Sequence, residues 1–235
     1  MANEPSSRNP PANEPPWRSP ADNDQTCADR EALVRSIRHW ELLDQRVLDA
    51  ILAVPRHLFV PERQRPVAYF DGPLDIGYRQ TISQPTVVAM MTSALRPEPH
   101  HVVLEIGTGA GYQAAVLSKL VRRVESVEIV QPLAERAAAV LETLGCRNVR
   151  VHVSNGFDGL PSLAPFDGII VTAAPESMPD RLLEQVADGA RMVVPVGPQF
   201  GLQELLVMTR HGNSFDRHSV APVRFVPMVR TWKRP

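Results

Sequence analysis

Val102-Val103-Leu104-Glu105-Ile106 runs straight into Gly107-Thr108-Gly109-Ala110-Gly111-Tyr112. The five leading residues form a short, nearly unbroken apolar run of the kind that makes a parallel strand buried on both faces. The glycines that follow suit a tight strand-to-helix turn. Such a turn needs backbone angles that other residues resist, and it leaves no Cβ between the backbone and a ligand resting on the helix N-terminus. The spacing here is G-x-G-x-G. In the dinucleotide fingerprint, G-x-G-x-x-G, the third glycine would fall at 112, where this chain has Tyr112.

Outward from this turn the chain alternates. Segments rich in Val and Ile at 123–128, 149–153, 167–171 and 191–195 predict strands, and 112–121, 132–144 and 179–187 predict helices. Alternation of this kind means a parallel sheet with right-handed crossovers. Pro132 suits the first turn of its helix and Gly145 the place just past its end. Beyond Gly197, 203–209 and 223–227 read as strands joined without a helix, hence an antiparallel edge. Upstream, Leu33, Ile37 and Trp40, then Val47, Leu48, Ile51 and Leu52, recur at helical spacing and predict two short helices, the second ended by Val54-Pro55. Residues 55–85 are rich in Pro and Gly and read as loop, and 86–95 as a helix.

The expected fold is α/β: a doubly wound, mostly parallel Rossmann-like sheet with an antiparallel C-terminal edge and an N-terminal helical cap. Residues 1–28, with Pro5, Pro10, Pro11, Pro15, Pro16 and Pro20 among polar neighbours, are expected to be a disordered extension. No two of those prolines have P-x-x-P spacing. Residues 29–95 form the cap and 96–235 the ligand-binding domain, together one globular unit.

At 235 residues one core suffices. Lys plus Arg number 25 against 26 Asp plus Glu, which disfavours a nucleic-acid partner. Cys27 and Cys146 suggest neither a disulfide framework nor a metal knuckle, so a reducing, cytoplasmic setting is expected, with no metal. No apolar run approaches a membrane span and no signal-peptide core is visible; a soluble monomer with no membrane partner is the expectation.

In an open α/β sheet the ligand sits beyond the carboxyl ends of the strands. The turn residues Gly107, Thr108, Gly109 and Gly111 mark one such end. Glu128, closing the next strand, is placed to accept the hydroxyls of an adenosine ribose, and Asn155-Gly156, closing the one after, to meet the adenine. Glu105, a carboxylate inside an apolar strand, either orients the turn or meets the sulfonium region of the cofactor, or else is a structural acceptor for the loop.

The G-x-G-x-G spacing resembles the S-adenosylmethionine site of class I methyltransferases. Further blocks resemble one family among them, the protein-L-isoaspartate O-methyltransferases. They are Asp44 to Ala50, Val54-Pro55-Arg56-His57-Leu58-Phe59-Val60-Pro61, Ala68-Tyr69, Gly77-Tyr78-Arg79-Gln80-Thr81-Ile82-Ser83-Gln84-Pro85, Glu105 to Gln113, Ala164-Pro165-Phe166-Asp167, Val194-Pro195-Val196-Gly197 and Val223-Arg224-Phe225-Val226-Pro227. The resemblance covers about residues 30–228, and Thr81-Ile82-Ser83-Gln84-Pro85 is its most specific part.

The resemblance implies methyl transfer from S-adenosylmethionine to the free carboxylate of L-isoaspartyl residues in damaged proteins and peptides. It implies Ser83 as the active-site serine, with Gln80, Thr81 and Ile82 beside it at the substrate. An ionised carboxylate needs no general base, which agrees with a site built from hydroxyls and backbone donors. Two positions depart from the family pattern. Asn155 stands where Asp is usual, and Arg79 where Gly is common, either adding a contact to the substrate or pointing into solvent.

Rival readings are weaker. Ser83 lacks the G-x-S-x-G elbow of a hydrolase. His100-His101 point to different sides, and His57 belongs to the Pro55–Pro61 loop. Met90 and Met91 read as helix packing. Thr172-Ala173-Ala174-Pro175 either lines the acceptor pocket or is a plain turn, and it is not the Asn-Pro-Pro-aromatic block that amino-directed methyltransferases resemble one another in carrying. A methyltransferase for another carboxylate or hydroxyl acceptor, and a scaffold that binds S-adenosylmethionine without catalysis, stay as alternatives.

Overall fold

The computed structural model describes residues 15, 17–40, 43–199 and 201–233. The glycine turn follows an interior strand, third across a seven-stranded sheet. In chain order the sheet strands are β3 (Val102–Ile106), β4 (Arg123–Glu128), β5 (Val149–Val153), β6 (Phe166–Val171), β7 (Val186–Val196), β8 (Gln203–His211) and β9 (Ser214–Val223), after a separate hairpin of β1 (Leu74–Gly77) and β2 (Gln80–Ile82). Across the sheet the order is β5-β4-β3-β6-β7-β8-β9. The first five of these are parallel and the last two antiparallel, as expected from the sequence. All five residues of β3 are buried, as a strand flanked on both sides and covered on both faces requires.

Helices α1 (Asp24–Ile37), α2 (Gln45–Ala53) and α3 (Pro85–Leu95) precede the sheet, and α4 (Tyr112–Ser118), α5 (Gln131–Thr143) and α6 (Asp180–Leu183) lie within it. Leu33, Val34, Ile37, Val47, Leu48 and Ile51 bury their faces in one core with Val88, Met91, Leu95 and the α4 residues Ala114 to Leu117. The cap and the sheet domain therefore share a core.

Three expectations shift. The helix expected at 179–187 is the single turn α6, because Gln185 is buried and spends its amide on Asp158 O, Arg181 O and Leu160 N; Val186 then joins the sheet beside Phe166. The strand expected at 223–227 lies earlier, with Val223 as the last residue of β9. A turn at Gly212 (φ +59°) sends β9 back along β8, pairing His211 with Ser214 and Gln203 with Val223. Most of the expected 1–28 extension lies outside the described residues, but α1 begins at Asp24. Asn23 and Thr26 form a reciprocal capping box, each side chain accepting the other's backbone N–H at 2.8 and 2.9 Å. Asp22 pairs with Arg30, both side chains fully buried, and Trp17 lies over that guanidinium.

Candidate active site

The turn after β3 is shaped by what stands behind it. Gly107 has φ +98°, and a Cβ there would lie 2.5 Å from Thr172 Oγ1. That hydroxyl donates to Gly107 O at 2.6 Å, so the end of β6 braces the turn from below. Gly107 N donates to Val127 O at 2.8 Å, which holds the turn to β4 on the other side. A cavity of about 880 Å³, mouth included, opens above it.

Glu128 lines the cavity where β4 ends. Its two carboxylate oxygens accept from Gly109 N at 2.7 Å and Val130 N at 2.9 Å. Burial pushes its pKa up, and the backbone donors of Val130, Gly109 and Ile129 pull it back. Gly156 lines the same end of the cavity, and a Cβ there would press to 2.6 Å from Ile106 Cγ2. Asn155 does not join the lining: its amide oxygen accepts from Phe157 N at 3.1 Å and its amide nitrogen donates to Asp158 at 3.0 Å.

Glu105 also stays outside the lining. It is fully buried, accepts from Ser126 Oγ, and is linked through that hydroxyl to Thr108 Oγ1, 2.5 Å from it. Of the two readings of Glu105, the geometry matches a structural acceptor beneath the loop. Burial first, and the nearby Glu128 charge to a lesser degree, push its pKa up to about 8 against the Ser126 hydrogen bond. The turn residues Gly107, Thr108 and Gly109 line the cavity, whereas Gly111 sits just behind as the N-cap of α4.

Gln80, Thr81, Ile82 and Ser83 also line the cavity. Two residues of the β1–β2 turn, Tyr78 and Arg79, have φ +56° and +59°, the left-handed pair of a tight hairpin turn, and Arg79 is exposed. Asp71 holds the Ser83 loop at the start of α3, accepting from Thr86 N at 2.9 Å, Thr86 Oγ1 at 2.6 Å and Gln84 Nε2 at 3.0 Å. Nothing in the local sequence marks Asp71 as an external cap; its partners follow it by more than a dozen positions.

Sequence reasoning also missed the roof. Val226, Pro227, Met228, Val229 and Trp232 line the cavity. Ala174 tethers them, donating to Val226 O and accepting from Met228 N, both at 2.8 Å. Trp232 meets Tyr78 edge to face, with centroids 6.0 Å apart. The available signal was apolar residues continuing past the last strand with no element of their own to bury them. Thr172 and Ala173 line the cavity too.

A second, open trough of about 1300 Å³ adjoins the first. Thr81, Ser83, Thr172 and Val226 border both, and Trp40, Leu202 and Arg224 line the trough alone. His57 is elsewhere, buried with Nδ1 2.8 Å from the Tyr69 hydroxyl.

Comparison with known proteins shows the family and the fold. The family model described as protein-L-isoaspartate(D-aspartate) O-methyltransferase matches residues 28–233. A Nitrosococcus oceani protein-L-isoaspartate O-methyltransferase 2 is 52% identical over 190 residues, 80% of this chain and 86% of that one. A protein-L-isoaspartate O-methyltransferase of Halorhodospira halophila is 50% identical over 201 residues, 85% and 91% of the two chains. A solved protein-L-isoaspartate O-methyltransferase superposes with a TM-score of 0.76 at 28% identity, over 84% of this chain and 65% of that one. A Plasmodium falciparum structure determined with S-adenosyl-L-homocysteine has the same fold, with a TM-score of 0.75 at 21% identity over 86% of this chain and 99% of that one.

Proposed function

Because the chain belongs to the protein-L-isoaspartate(D-aspartate) O-methyltransferase family, we propose that cavity and trough are the two halves of one active site, meeting at Ser83. The chain is a repair enzyme that methylates the free carboxylate of L-isoaspartyl residues in damaged proteins and peptides, using S-adenosylmethionine. The ester then closes to a succinimide, whose hydrolysis partly restores the aspartyl link.

The residues fit the methyl donor. A turn packed too closely on Thr172 and Ile106 to admit a Cβ at Gly107 or Gly156, so that its backbone faces the cavity, together with a carboxylate at Glu128, suits an adenosine. In this reading Gly107, Thr108, Gly109, Glu128 and Gly156 hold the donor, with Gly111 and Glu105 supporting the turn and Asn155 shaping the loop that presents Gly156. The donor supplies an electrophilic methyl group. The chain supplies alignment and exclusion of water, worth about 7 to 11 kcal/mol when reacting atoms are held in line. Ser83 and Thr81 offer hydroxyls at the shared border, Gln80 and Ile82 flank them, and Asp71 holds that loop on the helix behind it.

The observation that carries this reading is that Thr81 and Ser83 border both spaces, so one serine can touch an acceptor in the trough and a methyl group in the cavity. An acceptor entering from an open trough is one carried on a peptide or protein. Two free cysteines support a reducing, cytoplasmic setting. The test is a paired assay with isoaspartyl and aspartyl forms of one peptide and methyl-labelled S-adenosylmethionine. Label in the isoaspartyl form alone is expected; label in neither, or equally in both, would defeat the reading.

A further inference from the structure

Gln113, in the first turn of α4, is 7% exposed and lines the cavity. Its Nε2 donates to Thr92 Oγ1 at 2.8 Å. Which end of an amide faces a neighbour is set by the neighbour's own hydrogen bonds, and here Thr92 decides it. Thr92 is fully buried one turn from the end of α3, and its single hydroxyl proton goes to Val88 O at 2.7 Å. Its oxygen can therefore only accept, so the Gln113 amide must present its NH2 to Thr92. Oε1 is left as a buried acceptor with no partner among the described residues. An unmet buried acceptor is costly, and in a ligand cavity the ligand is the natural source of the missing donor.

Place and polarity restrict that donor. Gln113, Val88, Ser83, Glu128, Val130 and Gly156 all line the cavity. Gln113 is tied by Thr92 to α3, the helix that carries Val88 and begins two residues after Ser83, whereas Glu128, Val130 and Gly156 stand at or just past the ends of β4 and β5, the strand ends assigned to the nucleoside. Resting on the reading that this cavity holds S-adenosylmethionine, the ligand has three kinds of hydrogen-bond donor: ribose hydroxyls, the adenine amino group and the α-ammonium. The first two belong with Glu128 and Gly156. The carboxylate of the amino-acid part is acceptor-only and cannot satisfy an amide oxygen.

We propose that Gln113, held in one orientation by Thr92, binds the α-ammonium group of the methyl donor through Oε1. The role is recognition of the amino-acid end, and it fixes how far along the cavity the sulfonium sits relative to Ser83.

The test is calorimetry on the full chain with two ligands, S-adenosylhomocysteine and 5′-methylthioadenosine, which shares the nucleoside and thioether but has no amino-acid end. Gln113→Met, similar in length and without an acceptor of comparable strength, should weaken S-adenosylhomocysteine about tenfold to a hundredfold and leave 5′-methylthioadenosine within about twofold. Thr92→Val frees the amide without touching the ligand and should cause a smaller, equally selective loss. It also serves if Gln113→Met fails to fold, as binding of 5′-methylthioadenosine would reveal. An equal loss for both ligands means a merely structural glutamine. An unchanged S-adenosylhomocysteine affinity means that water alone meets Oε1. Either result overturns the proposal. Absence of binding of both ligands to the unaltered chain would instead remove the S-adenosylmethionine reading on which it rests.

Discussion

Glu128 accepts the backbone N–H of Gly109 at 2.7 Å, so the carboxylate that ends β4 is bound to the turn that leaves β3. Its other oxygen takes Val130 N at 2.9 Å, at the start of α5. One side chain thus sets the spacing between two strand ends at the cavity.

Glu128→Ala is expected to act twice. Loss of the acceptor leaves two N–H groups unmatched, costing about 1 to 3 kcal/mol of folding stability. It also removes the ribose contact, weakening S-adenosylmethionine roughly tenfold to a hundredfold. Denaturant unfolding and calorimetry read the two effects separately. A stability loss with unaltered affinity would leave Glu128 as a structural clamp only.

Ser83→Ala should lower turnover by about a hundredfold, the scale of one lost transition-state donor. Affinity for S-adenosylhomocysteine should hardly change, because the proposed nucleoside contacts are made by other residues, Glu128 and Gly156 among them. Single-turnover kinetics with an isoaspartyl peptide tests this, and undiminished turnover would remove the serine from the reaction.

The parallel core was legible because strands buried on both faces are nearly all apolar: Val102 to Ile106 and Gly168 to Val171 leave little room for another reading. The outer strand was not. In β9, Asp216, Arg217, His218 and Ser219 are all exposed in succession, so neither face carries an apolar pattern, while the apolar stretch 223–227 reads as the strand and its end, Val226 and Pro227, is instead part of the loop that lines the cavity. The donor side of the site was readable from the strand ends. Gln113 and Asp71 were not, since each gains its role from a partner on a different element.

Glu105 gives the protein a defined pH response. Its carboxyl has an ordinary pKa of 4.5 when exposed and is pushed up to about 8 by burial in β3. Between those values the folded chain keeps a proton that the unfolded chain has released, so stability falls as pH rises through the window. The slope is about 1.4 kcal/mol per pH unit at most, and it ends above the folded pKa. Glu105→Gln, which cannot ionise and still can accept from Ser126, should flatten this slope, gaining on the unaltered chain at pH 8 relative to pH 5. Denaturant titrations at pH 5, 6.5 and 8 measure it. Parallel stability curves for the two proteins would mean that Glu105 is ionised throughout.

The N-terminal boundary is decided by a single ion pair. Asp22 and Arg30 are joined with both side chains fully buried, Ser19 N donates to the same carboxylate at 2.7 Å, and Trp17 covers the guanidinium at 4.9 Å. Residues 17–23 are therefore part of the folded unit, and removing the chain through residue 28 is expected to do harm, whereas removing residues 1–14 deletes none of these contacts. Asp22→Ala strands a buried guanidinium and should cost about 3 to 5 kcal/mol. The charge is the cause, so removing it as well should recover most of that loss: Asp22→Leu with Arg30→Met replaces the pair by apolar groups and is expected to approach the original stability. Chemical denaturation of the single and double variants decides the matter. A negligible loss in Asp22→Ala would mean that the guanidinium reaches water and that this segment does not anchor the cap.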